Sequence, residues 1–315
     1  MGKPFASSAD LAEKEVTLEV LADGVFAYTA QGDPNVGAVE GRDCVLAVEA
    51  RATPYMAERW LAELRQHTDK PVRYLALTHY HAVRTLGAAA FGADWIISSK
   101  ATADLITERG QADWESEQAR MPRLFAGAKT IPGLTHPTVT FTDRLALDLG
   151  GRTVELIFCG RGHTEGDIVV WLPDERVLFA GDLVESEAAL YTGDAFHHEW
   201  VGATLDRVAS LGANVLVGGR GKVVRGPEVG QAIDQSRHFL QVMIEHVTEA
   251  VTAGRTLGDA FRACHDALAP RYGQWPIFEH CLPFNVQRLW DEVAGLRPRV
   301  WTAARDREVW DQLQS

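Results

Sequence analysis

His79 and His81 stand one residue apart in Thr78-His79-Tyr80-His81-Ala82-Val83-Arg84, directly after the apolar run Tyr74-Leu75-Ala76-Leu77. A strand that ends there delivers two neutral imidazoles to one cation, and the tyrosine between them points the other way. A third imidazole, His163, lies in Gly160-Arg161-Gly162-His163-Thr164-Glu165-Gly166-Asp167 between two further apolar runs, and Asp182 closes Phe179-Ala180-Gly181-Asp182. Three imidazoles with an open fourth position form the usual environment of a catalytic zinc; a nearby carboxylate can ligate, orient a bound water or accept its proton. The same nitrogen and oxygen donors also suit iron. A second cation would ask for a carboxylate and another imidazole just after His81, where Val83 and Arg84 stand, and neither binds a metal.

Such residues need strands that end together. Residues 16–21, 25–29, 36–40 and 44–48 are short β-type runs separated by Asp23-Gly24, Gly32-Asp33-Pro34-Asn35 and Gly41-Arg42-Asp43, which predicts antiparallel hairpins. A helix is predicted over 54–67, with Pro54 in its first turn, followed by the strand 72–77 that carries the histidine pair. A strand at 95–98 and helices over 101–108 and 115–125 follow. Runs at 139–141, 145–149, 153–158, 168–172 and 177–180 repeat the strand pattern; a helix near 202–211 and a buried strand over 214–217 lead into Gly218-Gly219-Arg220-Gly221. Beyond Glu228 the apolar spacing is helical, over 229–251, 257–268, 286–294 and 303–313. The pattern predicts an α/β (α+β) fold of two mixed sheets with outer helices. The expected organisation is a tail over 1–14, a domain over 15–226, and a C-terminal helical region over 227–315 packed on that domain.

With 315 residues, 46% hydrophobic and 23% charged, the chain has the composition of a soluble globular protein. A net charge of -12 argues against nucleic acid or an anionic membrane as partner, while leaving room for local basic patches that hold an anionic ligand. The first ten residues hold no apolar signal core and no later run is long enough to span a bilayer, which predicts a cytoplasmic protein. Cys44, Cys159, Cys264 and Cys281 form no CxxC pair and are expected as reduced thiols. Neither a GxSxG elbow nor a GxxxxGKS phosphate loop occurs.

In order and context these motifs resemble the metallo-β-lactamase superfamily. There a Thr-His-x-His-x-Asp-His loop, a Gly-His-Thr-x-Gly loop, a strand-ending Gly-Asp and a final Gly-His-Gly build a two-metal hydrolase site. The counterparts here are Thr78, His79 and His81, then Gly162-His163-Thr164-Glu165-Gly166, then Gly181-Asp182, within about residues 16–225. The resemblance implies a four-layer αββα sandwich, two mixed β-sheets flanked by helices, with the C-terminal helical extension outside the common core. It further implies that His79, His81 and His163 hold one metal with the normally bridging Asp182 beside them. Val83, Arg84 and Arg220 replace the specific ligands of a second metal, so one zinc ion is expected, with iron as the alternative.

Arg84 and Arg220 place guanidinium groups where a second cation would sit. They are expected to clamp an anionic group of a small-molecule substrate or stabilise an oxyanion, while the metal supplies hydroxide as nucleophile and Asp182 orients it. The competing expectation is a buried ion network in which both arginines pair with Asp182 and Glu49. Glu49 and Asp167 are expected to support the two histidine loops, and His197 and His198, in the segment after Asp182, to meet substrate. His280 and Asn285 either cap the pocket or pack. Trp275, Trp290, Trp301 and Trp310 read as core anchors or as the face of a homo-oligomer. The expected activity is mononuclear zinc-dependent hydrolysis of a small anionic ester, lactone or thioester. The alternatives are a mononuclear iron oxygenase acting on a thiol or persulfide and a non-catalytic ligand-binding protein; β-lactam hydrolysis is not expected of a cytoplasmic protein.

Overall fold

Alternation along the strands builds two stacked sheets in the computed structural model, which describes residues 4–314. The first sheet runs in chain order: β1 (Val16–Ala22), β2 (Val25–Ala30), β3 (Val36–Glu40), β4 (Val45–Val48), β5 (Val72–Ala76), β6 (Trp95–Ser99) and β7 (Val139–Phe141). Its first four strands pair antiparallel and its last four parallel. The second sheet contains β8 (Arg144–Asp148), β9 (Thr153–Phe158), β10 (Ile168–Leu172), β11 (Val177–Gly181), β12 (Val215–Gly218) and β13 (Val224–Arg225), in spatial order β13-β12-β11-β10-β9-β8. Only β11 and β12 pair parallel within it.

Because strand side chains alternate, each strand feeds two cores. Leu46 and Val48 of β4 meet Val177 and Phe179 of β11 between the sheets. Val45 and Ala47 face outward onto Trp60 and Leu64 of helix α1 (Pro54–Leu64). On the opposite outer face, Leu178 and Ala180 of β11 pack with Phe239, Leu240 and Met243 of a long helix over residues 227–252. Helix, sheet, sheet and helix give the four layers expected. The remaining helices are α2 (Ala82–Thr85), α3 (Lys100–Arg120), α4 (His197–Glu199), α5 (Leu205–Ser210), α6 (Pro227–Thr252), α7 (Leu257–Tyr272), α8 (Phe278–Val293) and α9 (Ala303–Gln314).

Three elements depart from the sequence expectation. The two short helices predicted over 101–125 are one helix, α3, followed by a 3-10 turn at Pro122–Phe125. The buried face of α3 carries Asp113, Ser116, Glu117 and Arg120 at helical spacing, so its pattern is polar where apolar periodicity would mark a helix. Helix α8 begins at Phe278 rather than at residue 286 and runs through Pro283, which forgoes one backbone hydrogen bond. The two-residue β13 was too short to show a pattern.

The N-terminal segment is packed from Phe5 onward: its ring lies 5.4 Å from Trp310 and 6.5 Å from Phe284. Residues 1–3 of the expected tail lie outside the described part. Trp301 and Trp310 are buried with Phe284 in the same cluster, while Trp275 and Trp290 are partly buried against the α6–α8 core. All four cysteines are free and buried. Among the described residues, no helix is long and apolar enough to cross a membrane.

Candidate metal centre

The candidate residues leave the two sheets at strand ends and are fixed by contacts distant in sequence. After β5, the Thr78 N–H donates to Glu49 Oε1 at 2.6 Å, and Glu49 itself turns the chain after β4 at φ +68°. A left-handed glutamate is uncommon and persists only when its surroundings hold it. Beyond His81, the first two amides of α2 donate to carboxylates of α3: Ala82 to Asp113 Oδ2 at 2.7 Å and Val83 to Glu117 Oε2 at 2.9 Å. Acidic side chains at a helix N-terminus satisfy amides that have no partner within the helix. In the β9–β10 loop, Asp167 accepts from both the Thr164 amide and hydroxyl at 2.7 Å, supporting the loop around His163. Gly181 brings Asp182 in at φ +54°, where a Cβ would stand 2.6 Å from the Thr78 hydroxyl.

Each imidazole is anchored by one ring nitrogen, and the others converge. His79 Nδ1 meets the Thr78 hydroxyl at 2.9 Å, His81 Nε2 meets Asp194 Oδ2 at 3.2 Å, and His163 Nδ1 donates to the Tyr191 carbonyl at 2.8 Å. That leaves His79 Nε2, His81 Nδ1 and His163 Nε2 facing one another; a ligand atom from each of the three residues lies within 4.8 Å of the others. His79 Nε2 is buried without a hydrogen-bond partner, an arrangement that costs free energy unless something else uses the lone pair. The donor set, its spacing and this orphaned nitrogen fit a metal ion.

Burial drives His79 well below the usual imidazole range and lowers His163 to about 3, so both stay neutral as ligands must. Burial would lower His81 too, but Asp113, Asp194 and Glu117 outweigh it and raise this ring to about 9. Its Nδ1 lies 3.0 Å from His163 Nε2.

Asp182, 4% exposed, is gripped on both oxygens. Arg84 donates to Oδ1, and Arg220 Nη1 donates to Oδ2 at 2.8 Å. Burial alone would raise its carboxyl; Arg84 and Arg220, joined by His79 and His163, hold it well below the carboxylate range. Its Oδ2 is 3.9 Å from His79 Nε2 and 3.7 Å from His163 Nε2, so the carboxylate borders the imidazole cluster. Arg84 also donates to the Asn35 carbonyl at 3.0 Å and the Gly219 carbonyl at 2.8 Å, and Arg220 reaches Glu185 Oε1 at 3.3 Å. Burial and the Asp182 charge push Glu185 up to about 8. Gly219 is required here, since a Cβ would collide with Asp182 and sit 2.9 Å from Arg84.

The two arginines thus occupy different positions. Arg220 lines a narrow cleft that also exposes His81 and Asp182, with about 10 Å³ in which a water can be centred. Arg84, 1% exposed, lies behind Asp182 and does not line that cleft. Direct contact with a ligand there is open to Arg220 and closed to Arg84. The second arginine partner is Glu185, where Glu49 was expected. His197 and His198 do not line the cleft either: their Nδ1 atoms bind the two oxygens of Glu292 at 2.8 and 2.9 Å, fastening α4 to α8, and His197 Nε2 meets Thr192 at 2.8 Å. Asn285 holds the same loop through the Thr192 amide at 2.6 Å and the Leu190 carbonyl at 2.8 Å. The residues that sequence reasoning passed over are Asp194, Glu185, Glu117 and Arg120. For the last two, the polar stripe on α3 at positions i, i+3, i+4 and i+7 was the readable signal.

A profile of the metallo-beta-lactamase superfamily matches residues 41–220, from the turn before β4 through Arg220. The chain is 28% identical over 221 residues to a metallo-beta-lactamase type 2 of Bacillus sp. (strain 170), covering 66% of this chain and 77% of that one. It is 29% identical over 167 residues to the alpha subunit of 2,4-dinitroanisole O-demethylase of Nocardioides sp. (strain JS1661), covering 52% of this chain and 43% of that protein. Similarity to the linear primary-alkylsulfatase of Pseudomonas sp. (strain ATCC 19151) is 24% over 254 residues, covering 69% of this chain and 47% of the enzyme. Among solved structures, a metallo-beta-lactamase from Pontibacter korlensis superposes with a TM-score of 0.58 at 21% identity, over 72% of this chain and 99% of that one, a likeness of fold. With two stacked sheets, a buried three-histidine cluster at their strand ends and a profile match across most of both sheets, the chain belongs to the metallo-beta-lactamase superfamily.

Proposed function

We propose that this protein is a one-metal, zinc-dependent hydrolase of a small anionic ester, lactone or thioester. The observation that carries the reading is the division of labour around Asp182. Three imidazole nitrogens converge on one side of it, and two guanidinium groups fill the other side where a second metal would need ligands. His79, His81 and His163 would hold the zinc ion, which would serve as a Lewis acid to polarise the scissile group and make water nucleophilic near neutral pH.

The chain's own groups do the rest. Thr78, Asp194 and the Tyr191 carbonyl fix the ring orientations, which keeps the ligand lone pairs aimed inward. Asp182 is too weak a base to store a proton, so its part is to orient the attacking water through Oδ2. Arg220, permanently charged and lining the cleft, faces the space where negative charge develops on the substrate. Arg84 keeps Asp182 ionised and in place from behind. The narrow cleft excludes bulk water, which strengthens each of these charges.

The test is elemental analysis of protein purified without added metal, followed by hydrolysis of a panel of carboxylated esters, lactones and thioesters before and after chelation. Zinc near one per chain with chelator-sensitive hydrolysis is expected. Iron with oxygen uptake on thiols would replace this reading by an oxygenase. Failure to retain metal, with no turnover of any panel member, would leave a binding protein.

A further inference from the structure

A second polar cluster lines the same cleft and plays no part in holding the histidines. Arg120, the last residue of α3, is 1% exposed, yet its Nε and Nη1 are buried without a hydrogen bond. Its guanidinium is held flat by the rings of Phe284 at 4.6 Å and Tyr191 at 5.4 Å, and the Asp306 carboxylate stands 3.5 Å from Nε. Across the cleft His280, on α8 and 2% exposed, has neither ring nitrogen partnered. Burial, then the neighbouring Arg120 and Arg220, keep its imidazole well below its usual range and hence neutral, with one N–H to give. An unmade bond of this kind is costly, and buried groups left so in a native protein call for a water, an ion or a ligand to complete them.

We propose that Arg120 and His280 form, with Arg220, an oxyanion-binding subsite that seats a carboxylate or sulfate group of the ligand beside the histidine cluster. The proposal rests on the hydrolase reading only for the identity of that ligand as substrate. Arg120 and Arg220 contribute two positive charges to the cleft lining, against Asp182 and Glu117, with Asp306 beside Arg120 and Glu185 beside Arg220 outside that lining. Asp182 is committed to arginines and Glu117 Oε2 to the Val83 amide, so neither offers its charge freely to an incoming cation. A divalent ion at the histidines adds two further positive charges, and the loaded cleft favours an anion.

A wider cavity adjoins the cleft: about 370 Å³ in volume, it has Met121, Ile277 and His280 in its lining as the cleft does, so these side chains border both spaces. Ile277 is held there at φ +60°, a conformation that a β-branched residue adopts only under constraint from its surroundings. Trp275, Phe278 and Leu124 give the outer cavity apolar wall for the uncharged part of such a molecule.

The experiment is calorimetric titration of zinc-loaded protein with hexanoate, hexyl sulfate and, as the uncharged control, 1-hexanol. Wild-type protein should bind both anions, and Arg120→Met and His280→Phe should each weaken them roughly 10- to 100-fold, the value of a lost charge-assisted bond, without changing hexanol binding or zinc content. Should Arg120→Met fail to fold because Asp306 is stranded, the double variant Arg120→Met/Asp306→Asn removes both partners and carries the same comparison. Unchanged anion affinity in the folded variants, or equal losses for hexanol and the anions, would overturn the subsite. Arg120-dependent anion binding in a protein that hydrolyses nothing would sink the hydrolase reading and leave the subsite standing.

Discussion

Arg84→Met should be among the most damaging single substitutions in the molecule, although Arg84 touches neither solvent nor the cleft. Methionine keeps much of the volume and removes the charge and three donated hydrogen bonds, to Asp182 and to the Asn35 and Gly219 carbonyls. At about 3 Å and an effective dielectric near 20, one guanidinium and one carboxylate attract by roughly 5 kcal/mol before desolvation is counted. Breaking a buried pair by deleting one member costs about 3–5 kcal/mol net, because the partner stays buried without its counter-charge. At about 2 °C per kcal/mol for a chain of this size, the melting midpoint should fall by roughly 6–10 °C. Scanning calorimetry of metal-free protein at one fixed scan rate measures this. In an Asp182→Asn background the same substitution should cost at least about 2 kcal/mol less, since the charge it strands is already gone. A midpoint within 2 °C of wild type, or equal losses in both backgrounds, would refute the idea that Arg84 acts through Asp182.

Other outcomes follow from the same geometry. Asp194→Ala removes the acceptor that orients His81, so zinc affinity measured by competition with a chelator should drop about 10- to 100-fold; an unchanged affinity would place the control of His81 elsewhere. Gly219→Ala drives a methyl group into Asp182 and should cost about 1–3 kcal/mol in calorimetry, whereas Gly230→Ala, inside α6 with open space around its Cβ position, should stabilise by about 0.4–1 kcal/mol. The four cysteines are buried, and burial pushes the thiols of Cys159, Cys264 and Cys281 up to about 12. A disulfide reagent at pH 8 should therefore titrate almost no thiol in native protein and four after denaturation; rapid native reaction would contradict the packing around Cys281.

What was readable in the sequence was whatever obeys a local rule. The uninterrupted apolar runs in β4 and β11 announced strands buried on both faces, and His79, His81, His163 and Asp182 announced themselves by following such runs. What was hidden depends on partners far apart in the chain. Asp194 reaches back 113 residues to His81, and Ser116 on α3 reaches forward 190 residues to Asp306. No period or motif encodes those distances. The polar face of α3 misled for a related reason: Asp113, Ser116, Glu117 and Arg120 look solvated until the groups that bury them are known. The sequence presented Arg84 and Arg220 alike, and only the folded chain separates Arg84 behind Asp182 from Arg220 in the cleft.

The stripe on α3 also sets how far the chain can be cut. Two of its carboxylates seat the amides that follow His81, while Ser116 and Arg120 on the same face fasten to Asp306 of α9. One helix face therefore ties the histidine loop to the far end of the polypeptide. A fragment trimmed to the recognisable sandwich would lose α8 and α9 together and leave the polar face of α3 bare beside the loop it caps. The smallest piece able to carry this metal centre thus extends to α9, well past the residues that mark its ancestry.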